Sequence, residues 1–319
     1  MLGAAASIPV GDADTSSLTS TSGGGSAIPV AVGETLQTLL GQPVVEVYGM
    51  TETASVHTLS FPMRPIRLGA VGHPLPYSSV RIIKRDDDGS CSGECDVGEI
   101  GVVAMCGPGV FSGYLNEAHN VGAFVEPGWV NSGDLGRLDA DGYLWITGRA
   151  KDLIIRGGHN IDPAGVEEVL YTHPAVRLAA MVGQPDAYAG ELPLAYVELQ
   201  PNADTTREEL LNFVREHTPE RAAVPIDVVI EDTMPLTGVA KVFKPALRWD
   251  AVQRVFSSVL KPLQTNGITI DVHVGAHGTH GALATVTVSD IAETERDDFA
   301  ALVAEQLAPF SYQHEMHWQ

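Results

Sequence analysis

The feature that most constrains this chain is the period of its apolar residues, which switches near residue 62 and switches back after Arg149. Before the first switch, helical spacing alternates with a buried strand: Val32, Leu36, Leu39 and Leu40 lie on one helix face, Gly41-Gln42-Pro43 stops the helix, and Val44, Val45 and Val47 follow as a strand. Between Pro62 and Gly148 only short strands remain, VRIIKR, GEIGVVAM, GWVNSGDLGRL and GYLWITGR, with Asp139-Ala140-Asp141-Gly142 as a hairpin turn. A helical period cannot be satisfied by a strand, so the spacing predicts a parallel α/β layer, then a small all-β subdomain resembling a distorted barrel, then a second α/β region.

The second α/β region opens at Asp162-Pro163, a helix start followed by Val166, Val169 and Leu170 at helical spacing. Thr206 and Glu209 are spaced as a capping box ahead of Leu210, Leu211, Phe213 and Val214, and the strands LAAMVG and LPLAYVEL lie between the two helices. This region reads as a compact domain ending near Trp249. The remaining residues, 251–319, read as a further α+β unit: a helix over Val252 to Leu263, strands ITIDVHV and ALATVTV, a helix over Glu295 to Leu307 and a closing strand YQHEMHW. His273, His277 and His280 flank a Gly-rich turn there, but no carboxylate or Cys completes a ligand set, so they read as a hairpin tip.

The formal net charge of −21 excludes a nucleic-acid partner, because a polyanion would be repelled and no basic stripe offsets it. No apolar run reaches the roughly 18 to 20 residues of a membrane helix. The first basic residue is Arg64, so MLGAAASIPVGDAD lacks a signal peptide's charged start and reads as interior sequence. Cys91, Cys95 and Cys106 cannot all pair, and the CSGEC loop has no second pair of zinc ligands; a reduced, cytoplasmic compartment fits best.

Four segments carry chemistry. Tyr48-Gly49-Met50-Thr51-Glu52 stands where a strand of an α/β sheet ends, the usual ligand position, with a Gly for close approach, a hydroxyl and a carboxylate. These suit a phosphate and its Mg²⁺, although a plain polar turn is the commoner reading of such a segment alone. Asp134, in Ser132-Gly133-Asp134, can accept two hydrogen bonds from a ribose diol or simply sit in a turn. Residues 148–160, GRAKDLIIRGGHN, form a charged, Gly-rich linker of the kind that absorbs a hinge motion. Lys241, on a loop after the strand Ile226 to Glu231, can bridge a carboxylate and a phosphate as a point charge.

The order YGMTE, SGD, GYLWITGRAKDLIIRGG, PLTGVAK over residues 1–250 closely resembles the adenylate-forming superfamily of acyl- and aryl-CoA synthetases, luciferases and nonribosomal-peptide adenylation domains. The resemblance implies an α/β fold: the C-terminal part of a large AMP-binding domain over 1–148, its β subdomain over about 62–148, a mobile lid domain over 149–250, and an appended unit of unassigned role over 251–319. It also implies an acyl-CoA synthetase of fatty or other carboxylic acid metabolism, using ATP, Mg²⁺ and coenzyme A and releasing AMP and pyrophosphate. Gly24, Gly25 and Ser26 then match the adenine and acyl wall, Tyr48 and Gly49 the adenine-stacking segment, Thr51 the α-phosphate contact and Glu52 the Mg²⁺ ligand. Asp134 and Arg149 match the ribose site, Lys151 the hinge, Gly157 and Gly158 the pantetheine entry, and Lys241 the adenylating lysine.

Two departures bear on activity. Ala240 precedes Lys241 where the family usually has Gly. The family's Lys-ending phosphate loop has no counterpart before YGMTE, since TSSLTSTSGGG at 15–25 lacks the Lys; the chain therefore reads as truncated and, alone, weakly active or inactive. A noncatalytic remnant that binds nucleotide or a protein partner is the alternative. The acid and the oligomeric state are not encoded in these motifs.

Overall fold

The period switches of the sequence become sheet boundaries. The computed structural model describes residues 14–25, 28–85, 91–238, 240–265, 267–277 and 281–319. They fall into two compact units, Met1–Asp152 and Leu153–Gln319.

In the first unit, strand β1 (Thr21–Gly24) runs parallel to β2 (Val44–Tyr48), joined by helix α1 (Val30–Leu40). Gly41 closes α1 in the left-handed conformation, donating its N–H to Gln37 O, and Leu36 packs between Ile28 and Val44. The layer does not remain parallel: β3 (Thr58–Leu59) and β4 (His73–Pro74) add to β2 antiparallel. The reason is local, because a tight turn after Tyr48 reverses the chain against its own strand.

Six strands form the β subdomain: β5 (Ser79–Arg85), β6 (Cys91–Glu94), β7 (Gly101–Cys106), β8 (Phe124–Glu126), β9 (Trp129–Leu138) and β10 (Leu144–Arg149). The order is β10-β9-β7-β5-β6, with β8 on β9, and every pairing is antiparallel. Register shifts along β9 bend the sheet around a core of Ile82, Val103, Met105, Val130 and Leu144. At the β9–β10 turn Asp139 accepts hydrogen bonds from the N–H groups of Asp141 and Tyr143 and from the Trp145 indole.

The second unit begins with the hairpin β11 (Ile154–Arg156) and β12 (His159–Ile161), then α2 (Pro163–Tyr171), β13 (Val176–Asp186), β14 (Gly190–Leu199), α3 (Arg207–His217) and β15 (Val228–Glu231). Asp162 caps α2 through Ala164 N at 3.0 Å, and Thr206 with Glu209 forms the capping box of α3. Both helices lay their apolar faces, Val166, Leu170, Leu210 and Val214, against Ile154, Met181 and Val197 of the sheet.

The next helix, α4 (Lys244–Leu260), starts well before the apolar spacing from Val252 predicts. Pro245 fits its first turn, where no N–H is required. Leu247 and Ala251 join a core with Ala180, Val182, Leu194, Tyr196 and Met234. Val252, Phe256 and Leu260, farther along the same helix, join the core of β16 (Thr269–His277), β17 (Gly281–Ser289), α5 (Arg296–Leu307) and β18 (His314–Trp318). β17 pairs antiparallel with β16 and parallel with β18. A boundary at residue 250 therefore falls inside one continuous helix that serves two cores. His280 lies outside the described residues, and among those described no group of His, Cys, Asp and Glu is arranged for a metal ion. Among the described residues no helix is long and apolar enough to cross a membrane.

Candidate functional site

The parallel pair β1–β2 aligns Gly24 with Val47, so Gly25 and Tyr48 emerge at the same end of the sheet; Ser26 lies outside the described residues. Tyr48 packs against the β-subdomain core and donates its hydroxyl to Asp134 Oδ2 at 2.7 Å. Arg149 Nε donates to the other oxygen, Asp134 Oδ1, at 2.9 Å, because Asp134 and Arg149 stand opposite each other in the β9–β10 ladder. Asp134 is 7% exposed, and its N–H donates to Ser132 Oγ at 3.1 Å, while that hydroxyl donates to Val103 O at 2.6 Å. Burial first, and then the charge of Asp134, push the Tyr48 hydroxyl well above its ordinary range, so it stays a donor at neutral pH. The result is a buried carboxylate held on both oxygens in a fixed orientation.

Beyond Tyr48 the chain turns sharply through a 3₁₀ turn, Thr51–Thr53. Gly49 is required there: a Cβ would lie 1.9 Å from Ser55 O and 2.8 Å from His57 N. Thr53 Oγ1 accepts from Met50 N at 3.1 Å, and the turn ends with Ala54 at φ 54°. His57, 1% exposed, bonds Ser79 O at 3.1 Å through Nε2, and burial keeps its imidazole below the ordinary range and hence neutral. Thr51 is exposed at the turn. Glu52 accepts Phe111 N at its backbone oxygen, 2.8 Å, and the Tyr114 hydroxyl at Oε1, 2.5 Å. Hard oxygen donors with a single carboxylate fit Mg²⁺, which is commonly held by one or two carboxylates plus substrate phosphates.

In the second unit Gly157 and Gly158, at φ 58° and 83°, form the β11–β12 turn, and no heavy atom lies within 4 Å of where either Cβ would be. Their requirement is therefore conformational: two successive positive φ values make the tight hairpin turn. Lys151 lies in the turn just before the unit boundary, where Ala150 N donates to Gly133 O at 3.0 Å and Asp152 N to Arg149 O at 2.9 Å. Lys241 is exposed on a loop fixed by its backbone, with Thr237 N donating to Lys241 O at 2.7 Å and Lys241 N to Thr237 Oγ1 at 3.2 Å. Ala240, before it, has φ 59°, so the Gly-favouring conformation is indeed required there.

The structure brings Tyr48, Asp134 and Arg149 into one bonded group, and sets Thr51 and Glu52 on the turn that Tyr48 leads into. Sequence reasoning missed Tyr114 and Ser132, whose partners Glu52 and Val103 are 62 and 29 residues away. No spacing rule reaches so far.

Residues 3–115 match the family described as AMP-binding enzyme, and residues 165–241 match the AMP-binding enzyme C-terminal domain. The chain belongs to the AMP-binding enzyme family. One match lies in each compact unit, and most of α4 with all of the appended sheet lies beyond both. Marinolic acid–CoA ligase of Pseudoalteromonas sp. is 42% identical to this AMP-binding chain over 250 residues, 78% of the chain and 38% of the relative. Long-chain-fatty-acid–CoA ligase of Bacillus subtilis is 35% identical over 234 residues, 73% of the chain and 41% of the relative. The solved O-succinylbenzoate coenzyme A synthetase of Bacillus subtilis, in complex with ATP and magnesium ion, superposes with a TM-score of 0.65 at 33% identity, over 77% of this chain and 49% of that one. The chain thus spans 38% and 41% of the lengths of these two curated relatives.

Proposed function

We propose that this AMP-binding enzyme is an acyl-CoA synthetase, an ATP-dependent acid–thiol ligase that converts a fatty or other carboxylic acid to its acyl-adenylate and then to its CoA thioester. The observation that carries the reading is the Tyr48–Asp134–Arg149 group beside the Thr51–Glu52 turn. A carboxylate fixed on both sides is suited to a ribose diol, and the turn next to it offers oxygen ligands for a phosphate-bound cation.

In this reading the Tyr48 ring and the wall from Gly24 to Ser26 bind adenine, Asp134 accepts from the ribose hydroxyls, and Arg149 holds Asp134 in place. Thr51 contacts the α-phosphate. Glu52 holds Mg²⁺, which supplies charge neutralisation on the phosphates when bound. The substrate carboxylate oxygen bonds to the α-phosphorus as the bond to pyrophosphate breaks; both reactants are anions, so the Lys241 ammonium offsets their repulsion and orients them. In the second half-reaction, Lys151 serves as the hinge that withdraws Lys241, and the Gly157–Gly158 turn lines the approach of the CoA thiol. The sulfur bonds to the acyl carbon and AMP leaves. A cytoplasmic place in fatty acid metabolism accords with the long-chain fatty acid relative and with the free thiols of Cys95 and Cys106.

A noncatalytic, nucleotide-binding role draws on one observation, the strained Ala240 before Lys241. That strain is on the order of 1 to 2 kcal/mol, too small to abolish a rate that a lysine contact raises by about 10² to 10³. The deciding experiment is acid-dependent ATP–pyrophosphate exchange and thioester formation by a protein carrying this chain, alongside AMP binding to the 319-residue chain. Exchange and thioester together support the synthetase; AMP binding without either selects the noncatalytic role.

A further inference from the structure

The Glu52 carboxylate has a partner that no motif announces. We infer that Tyr114 is a positioning residue for Glu52, holding one carboxylate oxygen so that the other is presented to a divalent cation on the nucleotide. The inference rests on the acyl-CoA synthetase reading and deepens it.

The Tyr114 hydroxyl donates to Glu52 Oε1 at 2.5 Å. Among the described residues Oε2 accepts no hydrogen bond and Glu52 makes no ion pair, so the carboxylate is held at one end and open at the other. The segment that carries Tyr114 docks on Glu52 twice, since Phe111 N also donates to the Glu52 backbone oxygen at 2.8 Å. It is itself braced: Asn120 Oδ1 accepts Tyr114 N at 2.7 Å, and Asn120 Nδ2 donates to Tyr114 O at 3.2 Å. The Tyr114 ring stands edge-on to Phe111 at 4.8 Å and to His119 at 6.1 Å.

These contacts matter because the 3₁₀ turn fixes only the backbone of Glu52. A glutamate side chain otherwise spreads over many rotamers, and ordering it on ligand binding costs affinity. A hydroxyl donated to the distal oxygen removes that freedom beforehand. The arrangement is the one by which outer-shell partners orient metal-ligating carboxylates. Packing alone does not explain it, because Tyr114 is 38% exposed and a Phe would fill the same space without reaching Oε1.

The test is Mn²⁺ binding to the 319-residue chain in the presence of ATP, with free Mn²⁺ read by its EPR signal, for the wild type, Tyr114→Phe, Glu52→Gln and the double variant. Tyr114→Phe is expected to weaken Mn²⁺ binding by roughly 10- to 100-fold, the usual consequence of removing an outer-shell partner. In the Glu52→Gln background the same change should do nothing further, and Asn120→Ala, which leaves the hydroxyl in place but loosens its segment, should give a smaller loss. Wild-type affinity in Tyr114→Phe, or an equal loss in both backgrounds, overturns the positioning role while leaving Glu52 as a ligand. Unchanged Mn²⁺ affinity in Glu52→Gln, or no Mn²⁺ binding by the wild type, overturns the metal assignment of Glu52 and with it the inference.

Discussion

Asp134 in the first unit and Lys241 in the second carry the opposite charges of the proposed chemistry in opposite circumstances. Asp134 is 7% exposed, and each of its oxygens already accepts a hydrogen bond from Tyr48 or Arg149. Lys241 is exposed, held only through its backbone, and its ammonium makes no ion pair among the described residues. The first group is fixed by strand pairing and burial before any ligand arrives. The second is an exposed charge on a loop, and in the proposed chemistry its partners are a carboxylate and a phosphate. Binding and reaction are thus assigned to parts with different rigidity, and substitutions in them should leave different signatures.

The largest test of that contrast is Lys241→Ala. In a protein carrying this chain that has exchange activity, it is expected to lower acid-dependent pyrophosphate exchange by about 10² to 10³, or roughly 2.7 to 4 kcal/mol, without changing the melting temperature. Thioester formation from a preformed acyl-adenylate should survive, and equal loss in both half-reactions would break the division of labour.

Asp134→Asn should do the reverse of a pure rate effect. Hydrogen bonds to a charged group contribute about 1.5 to 3 kcal/mol, so AMP affinity measured by calorimetry should fall by roughly 10- to 100-fold. Stability should fall with it, because Tyr48 and Arg149 lose their charged partner. An Asn variant that melts lower but binds AMP normally would make Asp134 a purely structural residue.

Lys151→Pro addresses the hinge. Proline fixes φ, and a restriction of about 1.4 kcal/mol would slow the thioester half-reaction about tenfold while exchange continues. Normal overall turnover would move the pivot elsewhere. The smallest effect expected is that of Ala240→Gly, which relieves a φ of 59°. Removing about 1 to 2 kcal/mol of strain, less the roughly 0.5 to 1 kcal/mol that glycine's backbone freedom costs, leaves about 1 kcal/mol and should raise exchange no more than about fivefold. A slower Gly variant would mean that the stiffness of the Lys241 loop is itself useful.

The long helix α4 shows how far the sequence was legible and where it was not. Val252, Phe256 and Leu260 announce an amphipathic helix by their spacing, yet the residues from Lys244 to Ala251 are helical too. Their apolar positions, Leu247 and Ala251, face another core, and the preceding Pro-containing segment reads as a loop until that core is in view. Tyr196 then donates its hydroxyl to Asp250 at 2.7 Å, and Arg254 pairs with the same carboxylate, so polar contacts also cross the expected boundary at residue 250.

Residue order records what depends on neighbours a few residues apart. This includes the α/β class, the caps at Asp162 and Thr206, and the strand end that carries Thr51 and Glu52, whereas the segment 148–160, which reads as a linker, contains the β11–β12 hairpin with Gly157 and Gly158 at its turn. Helix and strand periods, caps and turns are set by interactions within one turn or one hairpin, so residue spacing records them. Folding of the whole unit is what lets Tyr48 and Asp134, 86 residues apart, share a hydrogen bond, and lets Tyr114 reach Glu52 across 62 residues. Those pairings depend on how separate sheets and loops dock, and a side chain's direction across such a contact leaves no period in the chain.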